Sequence, residues 1–211
     1  MKKIVCIYIQ DRTTVFLEPL CTHICDSIGA VRVGYDTSGD EDPLEVIFNE
    51  IRDAEIVFFL GHGMSSCLYA SIFDNVELFN KENVSLLSGK RLFLIACNSN
   101  QFIGKYALRN SVGFGFLPTS DDDIRNRLHN VDLSNNGLSD INYYNDALVR
   151  SLIASISKET IEDLWLFRER FRFCINRAIV NCLIEKEVPH YRVVADELFY
   201  VYADMIIRSE I

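Results

Sequence analysis

Two short stretches of this chain end an apolar run on a side chain that can do chemistry. Residues 56–67 read IVFFLGHGMSSC and stop at Gly61-His62-Gly63; residues 91–102 read RLFLIACNSNQF and stop at Cys97. A thiol becomes an effective nucleophile when a base or a local positive potential lowers its pKa from about 8.5. Histidine suits that base role because its ordinary pKa lies near 6.5. Gly63 has no side chain to keep a substrate carbonyl from its N–H. With the Cys97 N–H it would make an oxyanion hole, often worth several kcal/mol of barrier. The pattern therefore predicts a His62–Cys97 dyad with Gly63 as oxyanion donor.

Such a dyad needs elements that bring both residues to one cleft. Strand-like segments at residues 2–9, 30–36, 55–60, 91–96 and 111–117 alternate with helical patterns at 19–28, 43–53, 80–87 and 104–109. This alternation predicts right-handed crossovers and an α/β fold, a mostly parallel central sheet with helices on both faces. In such sheets ligands sit at the carboxyl ends of strands, near the topological switch point. Adjacent strands run about 4.8 Å apart, so His62 and Cys97 would face one another at neighbouring strand ends. The predicted single domain, residues 1–211, has its sheet core at about 3–118, a polar loop at 119–141, and C-terminal helices over 142–211. Those helices run over about 141–156, from a Ser157 or Thr160 cap to about 186, and from about 191 to 207, where ELFYVYA (197–203) is a strand alternative.

Bulk properties narrow the function. The 211 residues carry a formal net charge of −9, against the basic footprint of a nucleic-acid binder. No apolar run approaches the roughly 20 residues needed to cross a bilayer, and MKKIVCIYIQDR lacks a signal-peptide cleavage site, so a cytoplasmic protein without membrane contact is expected. The seven cysteines show no disulfide spacing, and the cytosol would keep them reduced. Cys21 and Cys25 would share a helix face, but His23 between them points elsewhere, so no metal site is predicted. Cys174 and Cys182 lie on an apolar helical stripe and read as small core residues. No cofactor is expected: there is no GxGxxG and no Walker-type lysine, which disfavours a nucleotide-binding reading.

FFLGHG followed by FLIACNSN resembles the His-Gly and Ala-Cys blocks of caspase-like (clan CD) cysteine peptidases, and most of all those of bacterial CHAT domains. The segments VGFGFLPTSDDDI and INYYNDALVRSLIAS extend the similarity, which spans about residues 3–183. The resemblance implies a caspase-like three-layer sandwich and a cysteine endopeptidase, with His62 as general base, Cys97 as nucleophile and Gly63 as oxyanion donor. It differs from true caspases, which carry Gln-Ala-Cys and a glycine soon after the nucleophile. Here 35 residues separate His62 from Cys97, against ~50 in caspases, so cleavage after aspartate is not implied.

TSDDDIR is similar to the acidic segment that receives a substrate arginine in separases. Asp121 and Asp123, with Asp11 on the same rim, are thus candidates to bind a basic P1 side chain. Arg12 beside Asp11 is the residue that would favour an acidic one. The expected partners are a protein substrate and a separate regulatory protein, since no helical repeats accompany the domain. The alternative is a catalytically silent caspase-like module that acts by binding.

Overall fold

Five-residue apolar runs build the centre of the sheet. The computed structural model describes residues 2–37, 42–119, 123 and 137–209. Strands β1 (Ile4–Tyr8), β3 (Ile56–Leu60) and β6 (Arg91–Ile95) lie side by side and parallel. Every residue of β3 is buried, as a strand covered on both faces requires. Alternation sorts the side chains. Cys6, Tyr8, Phe58, Leu60, Phe93 and Ile95 enter one core, while Val5, Ile7, Val57, Phe59, Leu92 and Leu94 enter the other.

Short strands β2 (Val31–Val33), β7 (Ser111–Gly113) and β8 (Ile206–Arg208) complete a six-stranded sheet ordered β2-β1-β3-β6-β7-β8. All its pairings are parallel except β7 with β8. The first core is covered by α1 (Glu18–His23), α4 (Gly137–Ser155), α5 (Leu164–Glu185) and α6 (Tyr191–Ala203). The second is covered by α2 (Pro43–Arg52), α3 (Ser99–Tyr106) and a hairpin of β4 (Leu68–Ser71) with β5 (Val76–Phe79). The expected mixed α/β fold with a mostly parallel sheet and helices on both faces is thus present. Phe93 stacks on Phe58 and meets Phe167 of α5 edge-on, tying the helical layer to the central strands.

Several details depart from expectation. Residues 80–87 form only a 3₁₀ turn, Val84–Leu87. Asn83 bonds the Asn80 N–H and the Leu78 carbonyl through its side chain, offering the backbone an alternative to helix. The β4–β5 hairpin was hidden by its short length. The cap of α5 is Asp163, which accepts from the Trp165 and Leu166 N–H groups, while Ser157 and Thr160 bond each other in a local turn. The last helix stops at Ala203, and Ile206–Arg208 pairs with β7, which would otherwise present an open edge. Helix α3 begins at Ser99, five residues ahead of expectation, and α4 begins at Gly137. Most of the 119–141 loop lies outside the described residues.

Candidate functional site

The chain reverses its direction of strand addition between β1 and β3. From β1 it moves outward to β2, then returns through α2 to β3 on the other side. In open α/β sheets, ligands bind outside the carboxyl ends of the strands at such a switch point. The β3–β6 register pairs Leu60 with Ile95, and the Gly61 N–H still reaches the Ile95 carbonyl at 3.2 Å. His62 and Cys97 therefore follow in the same row, just past the last paired residues.

Both residues also share a face. Cys97 packs against the core of Phe93 and Ile95. Gly63 faces the other way: a Cβ there would meet the Cys97 carbonyl oxygen at 2.8 Å, Leu68 Cδ2 at 2.9 Å and Ala96 Cβ at 3.1 Å. That parity puts His62 on the Cys97 side of the sheet. Only glycine fits at position 63. Tyr69 and Met64 donate around it to the His62 and Cys67 carbonyls. Among the described residues the Gly63 N–H itself has no acceptor. His62, Gly63 and Cys97 are all half-buried, and Met64 and Ser65 beside them are exposed.

His62 is held from β1. Its Nε2 lies 2.8 Å from Asp11 Oδ2 and 3.1 Å from Thr13 Oγ1. Asp11 Oδ1 accepts the Thr13 N–H at 2.7 Å, the Thr13 hydroxyl at 2.6 Å and the Thr14 N–H at 3.1 Å. Burial opposes the charge on Asp11, but the two Thr13 bonds and His62 outweigh it, holding the carboxyl below the usual range. An ionised Asp11 can only accept, so the Nε2 that faces it carries a proton. Among the described residues Nδ1 has no hydrogen-bond partner. The two side chains are only 11% and 16% exposed, so solvent screens their contact weakly.

Cys97 stands on a sharp strand-to-helix turn. Asn98 adopts the left-handed region, φ 55°, and its N–H bonds the Gly115 carbonyl at 2.8 Å. Asparagine tolerates this conformation better than most residues. Ser99 Oγ donates to the Leu94 carbonyl and accepts from the Phe114 N–H, pinning the start of α3 to the sheet. Gly113 lets α3 approach, since a Cβ there would sit 2.9 Å from the Asn100 nitrogen. The Cys97 thiol donates to the Leu117 carbonyl at 3.0 Å, and the Leu117 N–H points back at sulfur from 3.4 Å. The Cys97 sulfur thus bonds Leu117, while His62 bonds Asp11 and Thr13.

Of the acids predicted for the rim, Asp11 has its carboxylate engaged by His62, Thr13 and Thr14. Asp123 Oδ2 accepts the Thr119 N–H and hydroxyl, two residues beyond the Leu117 that touches Cys97. Asp121 lies outside the described residues. Arg12 lays its guanidinium over the exposed Phe73 ring, 4.9 Å from the centroid, joining the β1 loop to the β4–β5 turn. Thr13 was missed by sequence reasoning, although Asp-Arg-Thr-Thr directly after a strand is the composition of a side-chain-capped turn. Among the described residues no helix is long and apolar enough to cross a membrane.

No family model, curated protein or solved structure matches this chain.

Proposed function

We propose that this protein is a caspase-like cysteine endopeptidase that hydrolyses a peptide bond in a specific protein partner through His62 and Cys97. The observation that carries the reading is the shared row and face of the two residues at the carboxyl ends of β3 and β6, with His62 held there by Asp11. In this reading His62 Nδ1 takes the Cys97 proton as the sulfur attacks the scissile carbonyl carbon. The developing oxyanion is received by the Gly63 N–H. The imidazolium then returns its proton to the leaving amine, and water releases the acyl group from sulfur. Asp11 and Thr13 are positioning residues: they fix the orientation of the ring. This is a different role for Asp11 from receiving a substrate side chain.

Preference for a basic P1 residue rests on Asp123 and Asp121, since Asp11 is engaged elsewhere. The Arg12 guanidinium, stacked on Phe73, would instead meet an acidic group. Regulation by a separate protein is part of the same proposal. One observation favours the catalytically silent binding module: the Cys97 thiol donates to the Leu117 carbonyl at 3.0 Å, a bond that attack by the sulfur would have to break.

A peptide library with each residue type at P1, incubated with wild-type and Cys97→Ala protein, separates the two. The peptidase reading predicts cleavage after Arg or Lys that is lost in the variant. Cleavage that persists in Cys97→Ala, or no cleavage of the library or of captured protein partners, would favour the silent module.

A further inference from the structure

A second cluster of reactive groups lies on the same strand, inside the fold. Cys6 on β1 meets Cys21 on α1 and Cys25 in the π-helical turn Ile24–Ile28 that continues it. Their three sulfurs all lie within 4.8 Å of one another, and the Cys6 and Cys21 sulfurs are 3.9 Å apart. None is in a disulfide. Tetrahedral zinc holds sulfur at about 2.3 Å, which sets neighbouring sulfurs roughly 3.8 Å apart. The thiols are thus near ligand spacing before any ion arrives. Sequence spacing put Cys21 and Cys25 on one helix face; the third thiol comes from β1, 15 residues upstream of Cys21.

The surroundings suit a thiolate-bound cation. Cys6 and Cys21 are fully buried, whereas Cys25 is half-buried and opens a way in. Arg32, clamped by Glu18 through bonds of 2.6 and 2.9 Å, supplies positive charge near Cys21 and Cys25 and offsets part of the thiolate charge. His23 takes no part, because its Nε2 bonds the Ile156 carbonyl at 3.0 Å. The donor set is all sulfur, which selects soft ions over magnesium or calcium.

We propose that Cys6, Cys21 and Cys25 bind one thiophilic d¹⁰ ion, Zn²⁺ or Cu(I), that clamps β1 to α1. Each S–H bond is exchanged for a sulfur–metal bond, the protons pass to solvent, and no redox change occurs. Cu(I) is satisfied by the three sulfurs alone; Zn²⁺ takes a water as fourth ligand on the open Cys25 side. The site is separate from the His62–Cys97 pair and does not depend on its activity.

The test uses the full chain, stripped of metal under a non-thiol reductant. It is titrated with Zn²⁺ against a chromogenic chelator and, without oxygen, with Cu(I) against bicinchoninate. One tight equivalent of either ion, with a Tm several degrees higher, is expected for the wild type. The Cys25→Ser variant replaces a half-buried thiol and should fold, as circular dichroism would check, yet lose that equivalent and the Tm rise. Cys174→Ser should retain both. The two titrations distinguish the ions. Uptake of neither, or an equivalent that survives in both Cys25→Ser and Cys21→Ser, would overturn the proposal.

Discussion

Asp11 and His62 meet at 2.8 Å across the point where the sheet reverses its direction of growth. The contact joins the ends of β1 and β3, one strand away from the turn that carries Cys97. Asp11 itself is fixed by the Thr13 and Thr14 N–H groups, so the imidazole is held by a group that cannot easily turn away. On the proposed mechanism, such support would keep the imidazole oriented as a base.

Replacing Asp11 with Asn should preserve the fold but disturb the imidazole, because an amide can offer His62 Nε2 an N–H and so favour the other tautomer. Peptidase kcat is expected to fall by on the order of 10²–10⁴-fold with little change in KM. Steady-state kinetics on the best library peptide would check this. A loss confined to KM would assign Asp11 to substrate binding instead.

Acid stability should report on the same carboxylate. The folded-state pKa of Asp11 lies below its ordinary value of about 3.9, so its contribution is present above that pH. The contribution is lost as pH falls through the lowered folded value. Urea midpoints for wild type and Asp11→Asn should therefore differ at pH 7 and pH 5 and converge towards pH 3. A gap that stays constant down to pH 3 would show that the carboxylate charge is not what stabilises the site.

Gly63→Ala places a methyl group 2.8 Å from the Cys97 carbonyl oxygen and 2.9 Å from Leu68. Main chain cannot yield as a flexible side chain does. Stability should fall by about 1–3 kcal/mol, and on the proposed mechanism activity should be lost. Gly34→Ala is the control, since its nearest neighbour is the Tyr8 carbonyl oxygen at an ordinary 3.5 Å. Thermal denaturation of both variants would show the contrast; equal Tm values would mean that the β3 and β6 ends are looser than the packing requires.

The central strands were legible because five-residue apolar runs bounded by polar residues can be buried only in a covered parallel sheet. Their ends were legible for the same reason, and with them the positions of His62 and Cys97. What sequence did not reveal depends on contacts between distant segments. Ile206 and Ile207 continue a helical pattern, and only the open edge of β7 makes them a strand. Asn83 looks like an ordinary helix residue until its side chain is seen bonding Leu78. Asp11 reads as one more rim acid, and its engagement with His62 requires β1 and β3 to be neighbours. Cys6 gave no sign of meeting Cys21 and Cys25, because a helix that folds back onto its own preceding strand leaves no periodic signature.

The most direct test of the account is the pH dependence of Cys97 alkylation by iodoacetamide, followed at that residue by peptide mass spectrometry. A working dyad predicts a rate that rises with an inflection well below 8.5, the value for an isolated thiol. His62→Ala should return the inflection to about 8.5. An inflection already near 8.5 in the wild type and unmoved by His62→Ala would contradict the pairing of His62 with Cys97.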